Sequence, residues 1–182
     1  MVFCGVCVYV DSYITCKSDI LYVMPVKKNI NHNFFSKWSE EMAYVLGFFM
    51  ADGTITVNKL GGAYIVFQIK ELQLLEHIRA ILRSEHKIST RVDGRTGGVM
   101  YRLQIGSSQM VADLAALGVK PGKTTRLTLP EMEERHFRHF LRGYFDGDGN
   151  VWVGATHTSR TNSDVGILVS FTSGSRKFLE SL

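Results

Sequence analysis

The chain has 182 residues, with 21 Lys and Arg against 17 Asp and Glu, 45% apolar residues, 17 Gly, 3 Pro and 3 Cys. This balance excludes low-complexity disorder, a glycine-periodic fibre and a disulfide-stapled secreted scaffold, and no apolar run reaches the roughly 18 to 20 residues that span a bilayer. The length suits one domain around a proper core, or two small ones.

In chain order, residues 1–35 mix β-branched apolar residues with charges and Pro25, and read as an irregular or strand-rich leader. Cys4, Cys7 and Cys16 all fall in it. Three cysteines with no partners elsewhere point to a reducing compartment and an intracellular, cytoplasmic location, and their irregular spacing with His32 reads as small apolar packing rather than zinc ligation. At Trp38-Ser39-Glu40-Glu41 a helix begins, with Ser39 as cap and two acids in the first turn, and it stops at Asp52-Gly53. Alternation then predicts strands over 54–58 and 65–70 around Gly61-Gly62, and helical spacing predicts a helix over 72–82. A second glycine-turned hairpin covers 87–92 and 99–105, followed by a short helix from Ser107 to Leu117. Pro130-Glu131 opens a further helix with three early acids, running to Asp148-Gly149, and two more strands with a short helix follow over 151–153, 166–171 and 178–182.

Charge is unevenly placed. Residues 54–130 hold eleven Lys or Arg against five Asp or Glu, a basic excess that suits a polyanion better than a small substrate. On the alternation, Ile55, Val57, Phe67, Ile69, Tyr101, Leu103 and Ile105 face the helices. Thr56, Asn58, Gln68, Lys70, Arg102 and Gln104 then face the opposite side, with Arg91 joining them. Arg and Gln can form paired hydrogen bonds with guanine and adenine edges, while Lys mainly meets phosphate.

The two long helices end alike, as Gly47-Phe48-Phe49-Met50-Ala51-Asp52-Gly53 and, 96 positions later, Gly143-Tyr144-Phe145-Asp146-Gly147-Asp148-Gly149. Self-similarity at a fixed offset marks a duplicated unit. Small residues four apart, Gly47 with Ala51 and Gly143 with Gly147, let two such helices approach closely. Side by side, they bring Asp52 and Asp148 together at the foot of the seam. Paired carboxylates there are hard oxygen ligands suited to Mg²⁺ and to metal-assisted phosphodiester hydrolysis.

The duplicated stretches, from Val45 to Gly53 and from Leu141 to Gly149, resemble the motif of the LAGLIDADG (dodecapeptide, DOD-type) homing endonucleases. The resemblance implies an α+β, pseudo-symmetric monomer of two αββαββα halves, each giving a saddle-shaped antiparallel sheet over double-stranded DNA. It also implies an intron-encoded, mobile-element nuclease in which the last acid of each motif, Asp52 and Asp148, binds the metal. Lys123, in Gly118-Val119-Lys120-Pro121-Gly122-Lys123-Thr124, matches the family's active-site lysine segment. Met50 departs from the motif's first acid, whereas Asp146 keeps it.

The chain then divides into a leader over 1–35, a first repeat over 36–130 and a partial second repeat over 131–182. The second sheet is expected to lack two strands, leaving an edge unpaired and the chain poorly stable or poorly active. No obligate protein partner is expected, although the incomplete second repeat could require one. Against the endonuclease stands a non-catalytic nucleic-acid-binding relative, an intron maturase or DNA-binding regulator. The retained pair of acids favours the nuclease. An intein is disfavoured by Met1 at the start and Glu180-Ser181-Leu182 at the end.

Overall fold

A computed structural model describes residues 7–10, 13–16, 24–25, 28–92, 94, 97–119, 121–122, 127–156 and 164–182. Among them, the first elements are three short antiparallel strands, β1 (Cys7–Val10), β2 (Tyr13–Cys16) and β3 (Met24–Pro25), in which Cys7 and Cys16 are register partners. Cys4 lies outside the described residues. The leader's last residues join the body of the fold: Phe34 and Phe35 are buried in the core, and the Asn29 backbone and side-chain amides both donate to the Glu85 carboxylate.

Helix α1 (Glu40–Asp52) starts where the sequence places it, with the Ser39 hydroxyl accepting from the Met42 N–H at 3.0 Å. Every residue from Met42 to Met50 is buried. A helix apolar on all sides needs neighbours on all sides, and α1 has them: strands β4 (Gly53–Val57) and β5 (Ala63–Ile69) on one flank and helix α4 (Glu134–Asp148) on the other. Helix α2 (Leu72–Ile81), strands β6 (Ile88–Val92) and β7 (Val99–Gly106) and helix α3 (Ser108–Ala116) complete the first unit. Its sheet is antiparallel, ordered β4-β5-β7-β6. The side chains of Ile65, Phe67, Leu103 and Ile105 fill the core with Leu75, Ile78, Met110 and Leu114 from α2 and α3.

Two expectations need correction. Val57 is 59% exposed rather than turned into the core, because it is the last residue of β4, paired with Ala63 beside the hairpin turn. Helix α4 begins at Glu134, with Glu133 as its cap, and not at Pro130-Glu131, so one acid rather than three lies in its first turn. The preceding segment is not helical: Leu127 and Pro130 are buried and Leu129 and Met132 pack against the core, while the Leu127 carbonyl accepts from the Ser175 hydroxyl at 2.8 Å. A helix there would withdraw those side chains.

The second unit comprises α4, β8 (Gly149–Thr156), β9 (Asp164–Phe171) and α5 (Arg176–Ser181). It repeats the first in register: Gly53 pairs with Phe67 as Gly149 pairs with Phe171. The ring contacts repeat as well, Phe49 against Phe67 at 5.2 Å and Phe145 against Phe171 at 5.5 Å, both edge-on. Among the described residues β8 and β9 form a two-stranded sheet, so the chain carries one αββαββα-like unit and the opening αββα of a second. No described helix is long and apolar enough to cross a membrane.

Candidate nucleic-acid and metal site

The seam between α1 and α4 sets the geometry of the site. A Cβ on Gly47 would strike the Phe140 carbonyl oxygen, and one on Gly143 would strike the Tyr44 carbonyl oxygen, so the two backbones touch with no side chain between them. The seam stays close to its lower end, where a Cβ on Gly147 would meet the Ala51 side chain and lie 3.5 Å from Asp52 Oδ2. Asp52 and Asp148 are the final residues of α1 and α4, each followed by an extended Gly, Gly53 or Gly149.

Tyr144 is buried, and its hydroxyl donates to the Thr172 carbonyl at 2.7 Å. Burial raises its pKa above the ordinary tyrosine value, against a lowering from its hydrogen bond with Ser173, and the charges of Asp148 and Asp52 raise it further. Gly147, whose missing Cβ would lie 3.5 Å from Asp52 Oδ2, immediately precedes Asp148, so the Asp52 carboxylate reaches the residue next to its repeat counterpart. Each acid also lies at the negative end of a helix dipole, so the seam foot favours a cation. Among the described residues no group of three or more His, Cys, Asp or Glu could hold a metal. A cation there would take carboxylate oxygens from these two residues and complete its shell from phosphate or water, the donor set a hard divalent ion accepts. Lys123 lies outside the described residues.

The sheet face away from the core carries most of the predicted polar set. Register aligns Gln68 on β5, Arg102 on β7 and Ser89 on β6 across three strands, and aligns Thr54, Val66 and Gln104 beside them. Arg91 shares this face two residues on from Ser89. Gln68, Lys70, Arg91 and Gln104 are exposed, and Thr56 and Arg102 are half-buried. Arg102 Nε is buried without an acceptor among the described residues. Asn58 is differently employed: its Oδ1 accepts from the Leu60 and Gly62 N–H groups at 3.0 and 2.7 Å, and its Nδ2 donates to the Tyr64 hydroxyl. It closes the β4–β5 turn. Tyr64 pairs with Thr56 and so belongs to the same face. Starting β5 at Ala63 rather than Ile65 would have revealed it by alternation.

A polar cluster on one flank of the seam was also unanticipated. The Tyr44 hydroxyl donates to Asp146 Oδ2 at 2.8 Å, and the Arg142 guanidinium lies 4.5 Å above the Tyr44 ring. Burial, then the hydrogen bond and charge of Asp146, push the Tyr44 pKa well above its ordinary value, with Arg142 opposing. Asp146, the motif's first acid, therefore orders the helix pair rather than joining the seam foot.

The family profile of the LAGLIDADG-like domain matches residues 39–117 and 137–182, well over half of the chain and both copies of the repeat. The chain belongs to the LAGLIDADG family. Its two matched segments contain α1, all of α4 but its first turn, the β4–β7 sheet and the β8–β9 hairpin. Solved structures similar to it include the I-LtrWI LAGLIDADG homing endonuclease bound to target DNA, at 15% identity and TM-score 0.45, over 76% of this chain and 66% of that one. The homing endonuclease I-WcaI bound to its DNA recognition sequence is similar at 15% identity and TM-score 0.46, over 71% of this chain and 60% of that one. I-SmaMI, bound to an uncleaved DNA target in the presence of calcium ions, is similar at 14% identity and TM-score 0.41, over 73% and 67%. The chain spans less than two thirds of the length of the first two. No curated protein matches the sequence significantly.

Proposed function

We propose that this LAGLIDADG chain is a site-specific endonuclease for double-stranded DNA, acting inside the cell with Mg²⁺ held by Asp52 and Asp148. The observation that supports the reading is the approach of the Asp52 carboxylate to Gly147, the residue before the repeat-equivalent Asp148, at the end of a bare helix seam, together with a helix-backed sheet whose outer face presents Gln68, Arg91, Arg102 and Gln104. When bound, the metal would stabilise charge on the scissile phosphate and lower the pKa of a water. The chain's own residues do the rest. The backbone contacts at Gly47 and Gly143 fix the spacing of the carboxylates, Tyr144 braces the seam through Thr172, and the sheet face binds duplex DNA, Lys70 toward phosphate and Arg102 and Gln104 toward base edges. Lys123 is proposed to assist at the phosphate, with 36–130 and 131–182 as the two repeat units after the leader.

The test is cleavage of a randomised duplex DNA pool with Mg²⁺ or with a chelator, followed by sequencing of the ends. Asp52→Asn and Asp148→Asn should each lower double-strand cleavage by roughly a hundredfold or more while leaving DNA binding intact. Cleavage at the wild-type rate in both variants would rule the assignment out.

A further inference from the structure

Strand β8 runs straight on from α4 as β4 runs on from α1, and the cross-strand pair Trp152–Leu168 takes the place that Thr56–Tyr64 holds in the first hairpin. This is the face turned away from the helices. The inner face carries Ile55 and Ile65, both buried, and their mates Val151 and Val169. Even where the sheet is four strands wide, in the first unit, the outer face stays open, with Gln68 and Gln104 exposed on it. The exposure of Trp152 (46%) and Leu168 (60%) therefore belongs to the face and not to the width of the sheet. A Cβ on Gly154 would strike the Trp152 ring, so the indole lies along β8 over Gly154, which itself pairs with Gly166. Neither strand contains Lys, Arg, Gln or Glu. The second outer face is thus apolar where the first is armed with Arg and Gln.

We propose that Trp152 and Leu168 read thymine methyl groups in the major groove, so that the half-site under the second hairpin is selected for A·T pairs; this rests on the duplex-DNA reading given above. The seam selects DNA as the occupant. Its contacts at Gly47 and Gly143 interchange under the repeat, which makes the outer faces of the two hairpins two-fold mates. A duplex is itself locally two-fold, so one that lies on Thr56 and Tyr64 meets Trp152 and Leu168 with its other half. The apolar group that a major groove offers such a patch is the C5 methyl of thymine. Asn150, which pairs with Ser170 next along the same face, suits adenine, the partner base of thymine. The glycine pair Gly154–Gly166 carries no side chain beyond the indole, which lets the groove approach the patch closely.

The test exchanges thymine for uracil, which removes the methyl and keeps every hydrogen bond of the base pair. A randomised duplex pool is selected on the full chain in EDTA, the selected duplexes are remade with uracil at single thymine positions, and binding is measured again. At one or two positions of one half-site the exchange should weaken binding about fourfold, the worth of one buried methyl group. Trp152→Ala and Leu168→Ala should each bring that ratio close to one. Ile167→Ala, on the inner face of the same strand, should leave it unchanged. Binding that is indifferent to uracil at every position, or a uracil penalty that survives in both Trp152→Ala and Leu168→Ala, would overturn the inference and leave the DNA reading standing. A chain that retains no duplex from the pool would overturn both.

Discussion

Gly47 and Gly143 occupy equivalent places across the α1–α4 seam, each with the backbone of the other helix filling the space of its missing Cβ. Gly47 faces the Phe140 carbonyl and the Tyr144 amide, and Gly143 faces the Tyr44 carbonyl and the Phe48 amide, so the contacts interchange under the 96-residue repeat. Helix propensity alone would make Gly→Ala favourable by about 1 kcal/mol at a mid-helix position. Overpacking against a rigid backbone costs about 1 to 3 kcal/mol or more and wins here. Gly47→Ala and Gly143→Ala are each expected to destabilise the chain by about 2 kcal/mol net in urea titrations. Stabilisation by either would show that the seam is not held by backbone contact.

The flanks of that seam are chemically unlike, although they are related by the same repeat. One holds the Tyr44–Asp146 hydrogen bond; at the equivalent positions of the other stand Phe140, fully buried, and Met50, 1% exposed. Tyr44→Phe should cost about 1 kcal/mol, with a coupling to Asp146→Asn of similar size in a double-mutant cycle. Met50→Asp, which restores the acid to the first motif, should instead destabilise by roughly 3 kcal/mol or more, because a carboxylate would be buried where Phe140 offers no hydroxyl. Denaturation midpoints of the three variants check this ordering, and a neutral Met50→Asp would contradict it.

These pairs explain what the sequence could and could not disclose. The Ser39 cap, the period-two strands and the repeated Gly47 and Gly143 are local signals, and α1, β4, β5 and the seam follow from them. Pro130 and Glu131 mimic a helix N-terminus, and the demand of the core for Leu127 and Leu129 keeps that segment out of a helix. Tyr44 and Asp146 lie 102 positions apart, so their bond is invisible without the fold. Asn58 looked like a surface reader because alternation reports direction and says nothing of a turn's hydrogen bonds.

His136 is 5% exposed, and neither ring nitrogen has a partner among the described residues; its ring stacks on Trp38 at 5.7 Å with 20° between planes. An imidazole in this place keeps the stacking and forfeits its hydrogen bonds with water. His136→Phe should therefore raise stability by about 1 kcal/mol, or about 3 °C in Tm. His136→Ala, which loses the stack and opens a cavity, should lower stability by about 2 kcal/mol. Calorimetry of both variants decides the point, and destabilisation by His136→Phe would mean that the imidazole nitrogens are hydrogen-bonded after all.

On the proposed DNA face, Arg102 and Lys70 should fail differently. Arg102 lies mid-strand, aligned with Gln68 and Ser89 and half-buried between them, and its Nε has no acceptor among the described residues, so its guanidinium has donors to offer a ligand. Lys70 follows the end of β5 and is exposed on a flexible stem. A fixed fork can match the two acceptors of a guanine edge, whereas a mobile ammonium acts as a point charge toward phosphate. Arg102→Ala should thus cost about 1 to 3 kcal/mol on the preferred sequence and flatten the preference at one base position. Lys70→Ala should weaken all duplexes alike and reduce the slope of log K against log salt by about 1. Selection from a randomised duplex pool, repeated at two salt concentrations, separates the two, and a uniform loss from Arg102→Ala would move that side chain from base reading to backbone contact.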